Sequence, residues 1–88
     1  MTKEKLKQQY IIAKHWNNRN LPPELQQLHD EVEEYINSVD DYLVKEILYH
    51  RYILGLSWVA VANRCGYLNG SEAFRKMAER YIEKNTGK

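Results

Sequence analysis

Apolar residues return along most of this chain at spacings of three and four, the period of a helix that buries one face. In the first such stretch, Thr2 to about Asn17, the residues Leu6, Tyr10, Ala13 and Trp16 lie near one stripe, with Lys3, Lys5, Lys7 and Lys14 elsewhere. Ile11 and Ile12 fall off that stripe and read either as a contact with another subunit or as extra core packing. Asn17-Asn18-Arg19-Asn20 has no apolar residue and runs into Leu21-Pro22-Pro23, where each residue before a proline is pushed out of helical geometry. A loop is predicted there. From Pro23 to about Asn37, Leu25, Leu28, Val32, Tyr35 and Ile36 define an amphipathic helix whose outer face is Asp30, Glu31, Glu33 and Glu34. Ser38 is predicted to open the next helix, with Asp41 in the position of a capping-box partner. From Val39 to Leu54 apolar residues occur nearly all round, the pattern of a central helix buried on several sides.

The pattern then shortens. Gly55 suits the left-handed residue just past a helix end, and Ser57 can cap the next helix with its hydroxyl. Trp58, Val61, Ala62 and Cys65 share one face of that short helix, which Gly66 ends. Ser71 is a predicted N-cap for a last helix, to Lys84, with Glu72 in its first turn favourably placed against the helix dipole. Phe74, Met77, Ala78 and Tyr81 form its inward face, which places Glu72, Lys76, Glu79 and Glu83 outward and Arg75 and Arg80 on the flanks. Two helices joined at Gly66 and Gly70 read as a helix-turn-helix.

The order Arg51-Tyr52-Ile53, Gly55-Leu56-Ser57-Trp58, Val61-Ala62, Gly66 and then a basic helix resembles the C-terminal, region-4 DNA-binding part of sigma-70-type transcription factors. It is similar also to small phage-encoded regulators of that class, which control late genes. The likeness covers the chain from about Val39 onward. It implies a helix-turn-helix that binds double-stranded DNA, a phage or prophage origin, and RNA polymerase as a further partner. The segment Tyr67-Leu68-Asn69-Gly70 departs from the pattern, being about two residues longer than the usual turn. An 88-residue chain has no room for promoter-melting and core-binding domains, so a complete sigma factor is not expected.

Composition narrows the alternatives. The chain reads as one all-α domain of about five helices, with residues 1–37 as support or dimerisation part and 38–88 as central helix and helix-turn-helix. Its single cysteine, Cys65, falls on a buried helix face as a small structural thiol, which fits a reducing cytoplasm. No signal-peptide pattern or membrane-length apolar run is present, so a soluble protein of the bacterial host cytoplasm is expected, with no membrane partner. A formal net charge of +1 hides an asymmetry: residues 1–20 carry +4, residues 21–56 carry −6 and residues 57–88 carry +3. Basic ends and an acidic middle let one surface face a polyanion while another turns away.

Chemistry-bearing motifs are few. His15, His29 and His50 lie on three different helices without zinc-ligand spacing, the acids from Asp30 to Glu34 lack the alternation of a calcium loop, and no phosphate-cradling glycine loop occurs. No enzyme activity, metal or cofactor is expected. DNA contact is expected from Arg75 and Lys76 on base edges or phosphates, from Glu72 on a cytosine amino group, from Arg64, Arg80 and Lys84 on phosphates, and from Asn69 and Ser71 on a phosphate or an adenine edge. A Lys3-Lys5-Lys7 arm is a further candidate for the backbone, and dimerisation through the first two helices would double a weak interface. Two other readings fit the same residues. One is a small phage protein that inhibits a host protein, such as RNA polymerase or a defence nuclease. The other is a small terminase subunit, which would form rings on DNA.

Overall fold

The computed structural model describes residues 1–66 and 71–85, the last of these by its backbone alone. Every regular element among them is helical: α1 (Lys3–Trp16), α2 (Pro23–Asn37), α3 (Tyr42–Leu48), a π-helical segment (Tyr49–Ile53), α4 (Trp58–Arg64) and α5 (Ser71–Asn85). The all-α class and the five helices expected from periodicity are those of the molecule.

α1 starts where Thr2 Oγ1 accepts from the Lys5 amide at 3.1 Å, and ends at Asn17 in the left-handed region, φ 53°. Its buried residues are Leu6, Gln9, Ile12 and Ala13. The expected stripe is therefore rotated: Ile12 is core, whereas Trp16 is 42% exposed and Ile11 54% exposed. The cause is Gln9, which sits inside the stripe because it has polar work there. At the end of the π-helical segment the carbonyls of Tyr52 and Ile53 lack the next helical turn that would supply a donor. Gln9 Nε2 donates to the Tyr52 carbonyl at 3.2 Å and to Asn18 Oδ1 at 3.1 Å, while Asn18 Nδ2 donates to the Ile53 carbonyl at 2.9 Å. The loop that delivers Asn18 is possible because Asn17, Asn18 and Asn20 all take positive φ, which asparagine tolerates better than most residues.

α2 has the predicted bounds, with proline at its first position and Val32 and Ile36 fully buried. The predicted opening of the next helix at Ser38 is corrected. Ser38 closes α2, its hydroxyl donating back to the Tyr35 carbonyl at 2.6 Å, and Asp41 is the true N-cap of α3, accepting from the Val44 amide at 3.1 Å. A carboxylate meets the positive end of a helix better than a hydroxyl already engaged elsewhere. The expected uninterrupted helix from Val39 to Leu54 is corrected too. It is a seven-residue α-helix that widens into π geometry, with the Leu54 amide bonded to the Tyr49 carbonyl at 3.1 Å. Its burial is one-sided in places, since Tyr42 is 74% exposed. Its position is nonetheless central: α3 and the π-helical segment together pack against α1, α2, α4 and α5, around Ile47 and Leu48, which are wholly buried.

Gly55 takes φ 71°, and a Cβ there would stand 3.1 Å from Ala13 Cβ, so conformation and close approach both require glycine. Arg51 completes the corner. Its guanidinium lies 3.9 Å from the Tyr10 ring centre and 4.6 Å from that of Trp58, and its Nη1 donates to the Leu56 carbonyl at 3.0 Å. This stack ties α1 to the start of α4. Ser57 caps α4 as predicted, accepting from the Ala60 amide at 3.2 Å, and Gly66 ends it with φ 90°. α4 packs on α5, whose core face is Phe74, Ala78 and Ile82, with Met77 and Tyr81 half-buried beside it. Ser71 stands at the first residue of α5, and the residues just before it lie outside those described.

Candidate nucleic-acid interface

On a helix of 3.6 residues per turn, the side opposite Phe74, Ala78 and Ile82 of α5 falls to Lys76 and Arg80. Both are exposed, as are Lys84 on the same row and Ala73 on the adjoining one. Ala73, Lys76, Met77 and Arg80 together line a shallow depression, two apolar side chains and two cations. Among the described residues, Lys76, Arg80 and Lys84 form no ion pair.

The helix's three glutamates lie next to Lys76 on the wheel, and two cations serve them, Arg75 for Glu72 and Glu79 and Lys3 for Glu83. Arg75 Nη1 donates to the carboxylate of Glu79 at 3.1 and 3.2 Å, and Arg75 Nη2 pairs with Glu72. Lys3 Nζ, from the start of α1, lies 2.6 Å from Glu83 Oε2. The hydrogen bond from Arg75 holds the Glu72 carboxyl below the ordinary carboxylate range, and that from Lys3 does the same for Glu83. Reciprocally, Glu72 first and Glu79 second raise the Arg75 guanidinium, and Glu83 raises Lys3. Of the outward face expected from the sequence, Glu72, Lys76 and Glu83 are exposed and Glu79 turns aside. Glu79 is half-buried and lines a depression with Lys3, Lys7, Tyr52 and Ile82, facing α1 rather than the solvent side.

The remaining sequence candidates are scattered. Arg64 is exposed at the end of α4, in a depression with Tyr42, Leu43, Glu46 and Cys65 that shares no residue with the one on α5. Asn69 lies outside the described residues. Ser71 is half-buried at the start of α5. Of the lysine arm, all three members are in α1: Lys3 is paired with Glu83, Lys5 with Glu31 at 2.6 Å, and Lys7 lies beside Glu79 and Tyr52. Cys65 is half-buried, and desolvation foremost, with the charge of Glu46 second, pushes its thiol up, away from the thiolate.

The acidic face of α2 points outward as predicted, with Asp30, Glu31, Glu33 and Glu34 all exposed. Local partners occupy part of it: Gln26 Nε2 donates to Asp30 at 2.9 Å, and His29 Nε2 lies 3.6 Å from Glu33. Among the described residues, no helix is long and apolar enough to cross a membrane. Two groups that position the site carry no motif in the sequence: Gln9 and Asn18, which lock the segment from which α4 departs. No family model, curated protein or solved structure matches the chain.

Proposed function

We propose that this protein is a sequence-specific, double-stranded-DNA-binding regulator of transcription, of the phage type that the resemblance implies, with α4 and α5 as its helix-turn-helix. The observation that supports this best is the row Lys76, Arg80 and Lys84 on α5, exposed and without an ion pair among the described residues, while Arg75 and Lys3 offset part of the charge of the neighbouring glutamates. An α-helix with its side chains is about 10–12 Å across, the width of the major groove at about 12 Å. Lys76 and Arg80 then reach base edges or phosphates, Lys84 and Arg64 serve the backbone, and Arg75 offsets part of the charge of Glu72 and Glu79. A host-protein partner, RNA polymerase included, is the second reading, favoured by the exposed acids of α2.

Titration of the full chain against labelled fragments of its source genome, at low and physiological salt, tests the proposal. Retention of particular fragments over random competitor is expected, with log affinity falling linearly in log salt. Lys76→Ala with Arg80→Ala is expected to weaken binding and to flatten the salt slope by about 0.9 for each phosphate no longer engaged. Unchanged affinity would remove this face of α5 from the function. No binding even at low salt would turn attention to protein partners of α2.

A further inference from the structure

The depression on α5 contains more than charge. The exposed methyl of Ala73 and the half-buried side chain of Met77 line it together with Lys76 and Arg80, and form its apolar floor in the reading that follows. No carboxylate lines it. A purely phosphate-tracking surface has no use for an apolar floor between its cations. Resting on the DNA-binding reading above, we infer that this depression reads thymine, seating its C5-methyl group on Ala73 and Met77.

The apolar part of the depression is what favours thymine, since Lys76 and Arg80 alone would suit guanine as well. In the major groove thymine presents a methyl group beside the O4 acceptor, and small apolar side chains are the usual neighbours of that methyl. Lys76 and Arg80 carry only donors, so either can serve O4 or a flanking phosphate. Cytosine would bring an amino donor to the same cationic rim and leave the floor uncovered. Ala73 and Arg80 are seven positions apart, about 10 Å along the helix at 1.5 Å per residue. That is the rise of about three base steps at 3.4 Å, enough for one base on the floor and contacts to either side.

The test separates the methyl from everything else. A duplex is selected from a random pool with the full chain, and the selected sequence is rebuilt with deoxyuridine in place of each thymidine in turn. Fluorescence anisotropy is expected to show about a fourfold loss at one or two positions, the effect of burying one methyl group. Replacing the thymine–adenine pair by a 5-methylcytosine–guanine pair at those positions keeps the methyl but not the acceptor, and affinity above that of the unmethylated cytosine–guanine pair is expected. In Ala73→Gln, or in Ala73→Ser should the longer side chain obstruct docking, thymine and uracil are expected to bind alike. Equal affinity of the unaltered protein for thymine and uracil at every position overturns the inference and leaves DNA binding intact. A thymine preference that persists in both Ala73 variants also overturns it, by moving the methyl's seat elsewhere. Failure to select any duplex overturns the DNA reading itself, and this inference with it.

Discussion

Gln9 and Asn18 show how much of this small fold hangs on single amides. Their side chains take the places of missing backbone donors at the Tyr52 and Ile53 carbonyls, just before the chain turns at Gly55 into α4. A buried carbonyl left without a donor costs about 1–3 kcal/mol, a large part of what an 88-residue domain has in reserve. Asn18→Gly keeps the positive φ but removes the amide, so urea unfolding is expected to show a loss of about 1–3 kcal/mol. Asn17→Gly is the control. Asn17 is exposed with φ 53°, and glycine at a left-handed helix end is expected to be neutral within about 0.5 kcal/mol. Equal effects of the two would mean that the loop matters only for its backbone shape. Gly55 is legible in the sequence, because a helix end followed by a capping serine demands a left-handed residue. Asn18 is not, since nothing local distinguishes it from Asn17 and Asn20. Gln9 leaves only a faint sign, a polar residue three positions from Leu6 on one side and from Ile12 on the other.

Among the elements, those set by local chemistry are legible and those set by tertiary contact are not. Pro23 at the first turn fixes the start of α2, and the Ser57 cap and Gly66 fix α4. The join between α2 and α3 is misplaced by sequence alone because two cap-forming side chains, Ser38 and Asp41, compete within one turn. The outcome depends on the Ser38 hydroxyl being drawn back to the Tyr35 carbonyl. Asp41→Ala is therefore expected to cost about 1 kcal/mol, the usual effect of losing an N-cap, and Ser38→Ala about 0.5 kcal/mol or less. Thermal unfolding of the two variants side by side checks the assignment. A larger loss at Ser38 would restore the helix start expected from the sequence. The π-helical widening at Tyr49–Ile53 has no local signal at all. Its shifted register is held by groups from α1 and the asparagine loop, and such a dependence on distant partners is invisible to a periodic pattern.

At the scale of the molecule, the asymmetry of charge along the chain becomes an asymmetry in space, but not by simple projection. Net charge per segment shows basic ends and an acidic middle. It does not show that Lys3 and Lys5 are consumed by Glu83 and Glu31, or that Arg75 is consumed by its own helix. The cationic row that remains, Lys76 to Lys84, lies beside an edge whose three carboxylates are only partly offset, by Arg75 and Lys3. That makes Arg75 a residue whose contribution to DNA binding is expected to be set by Glu72 and Glu79. In Glu72→Gln with Glu79→Gln, the guanidinium keeps its position on the half-exposed flank but is freed of both carboxylates. Each glutamate removed also withdraws one negative charge from a face presented to phosphates. Binding to duplex DNA at low salt is expected to strengthen, and the slope of log affinity against log salt to steepen by about 0.9 if Arg75 engages one phosphate. The increase is expected on random DNA as much as on a selected site, because phosphate contacts carry no sequence information. An unchanged slope would mean that Arg75 already exchanges its glutamates for phosphate in the complex, making the ion pairs a resting state. A weaker complex would place Glu72 in direct contact with a base, as the sequence expectation of a cytosine amino group requires.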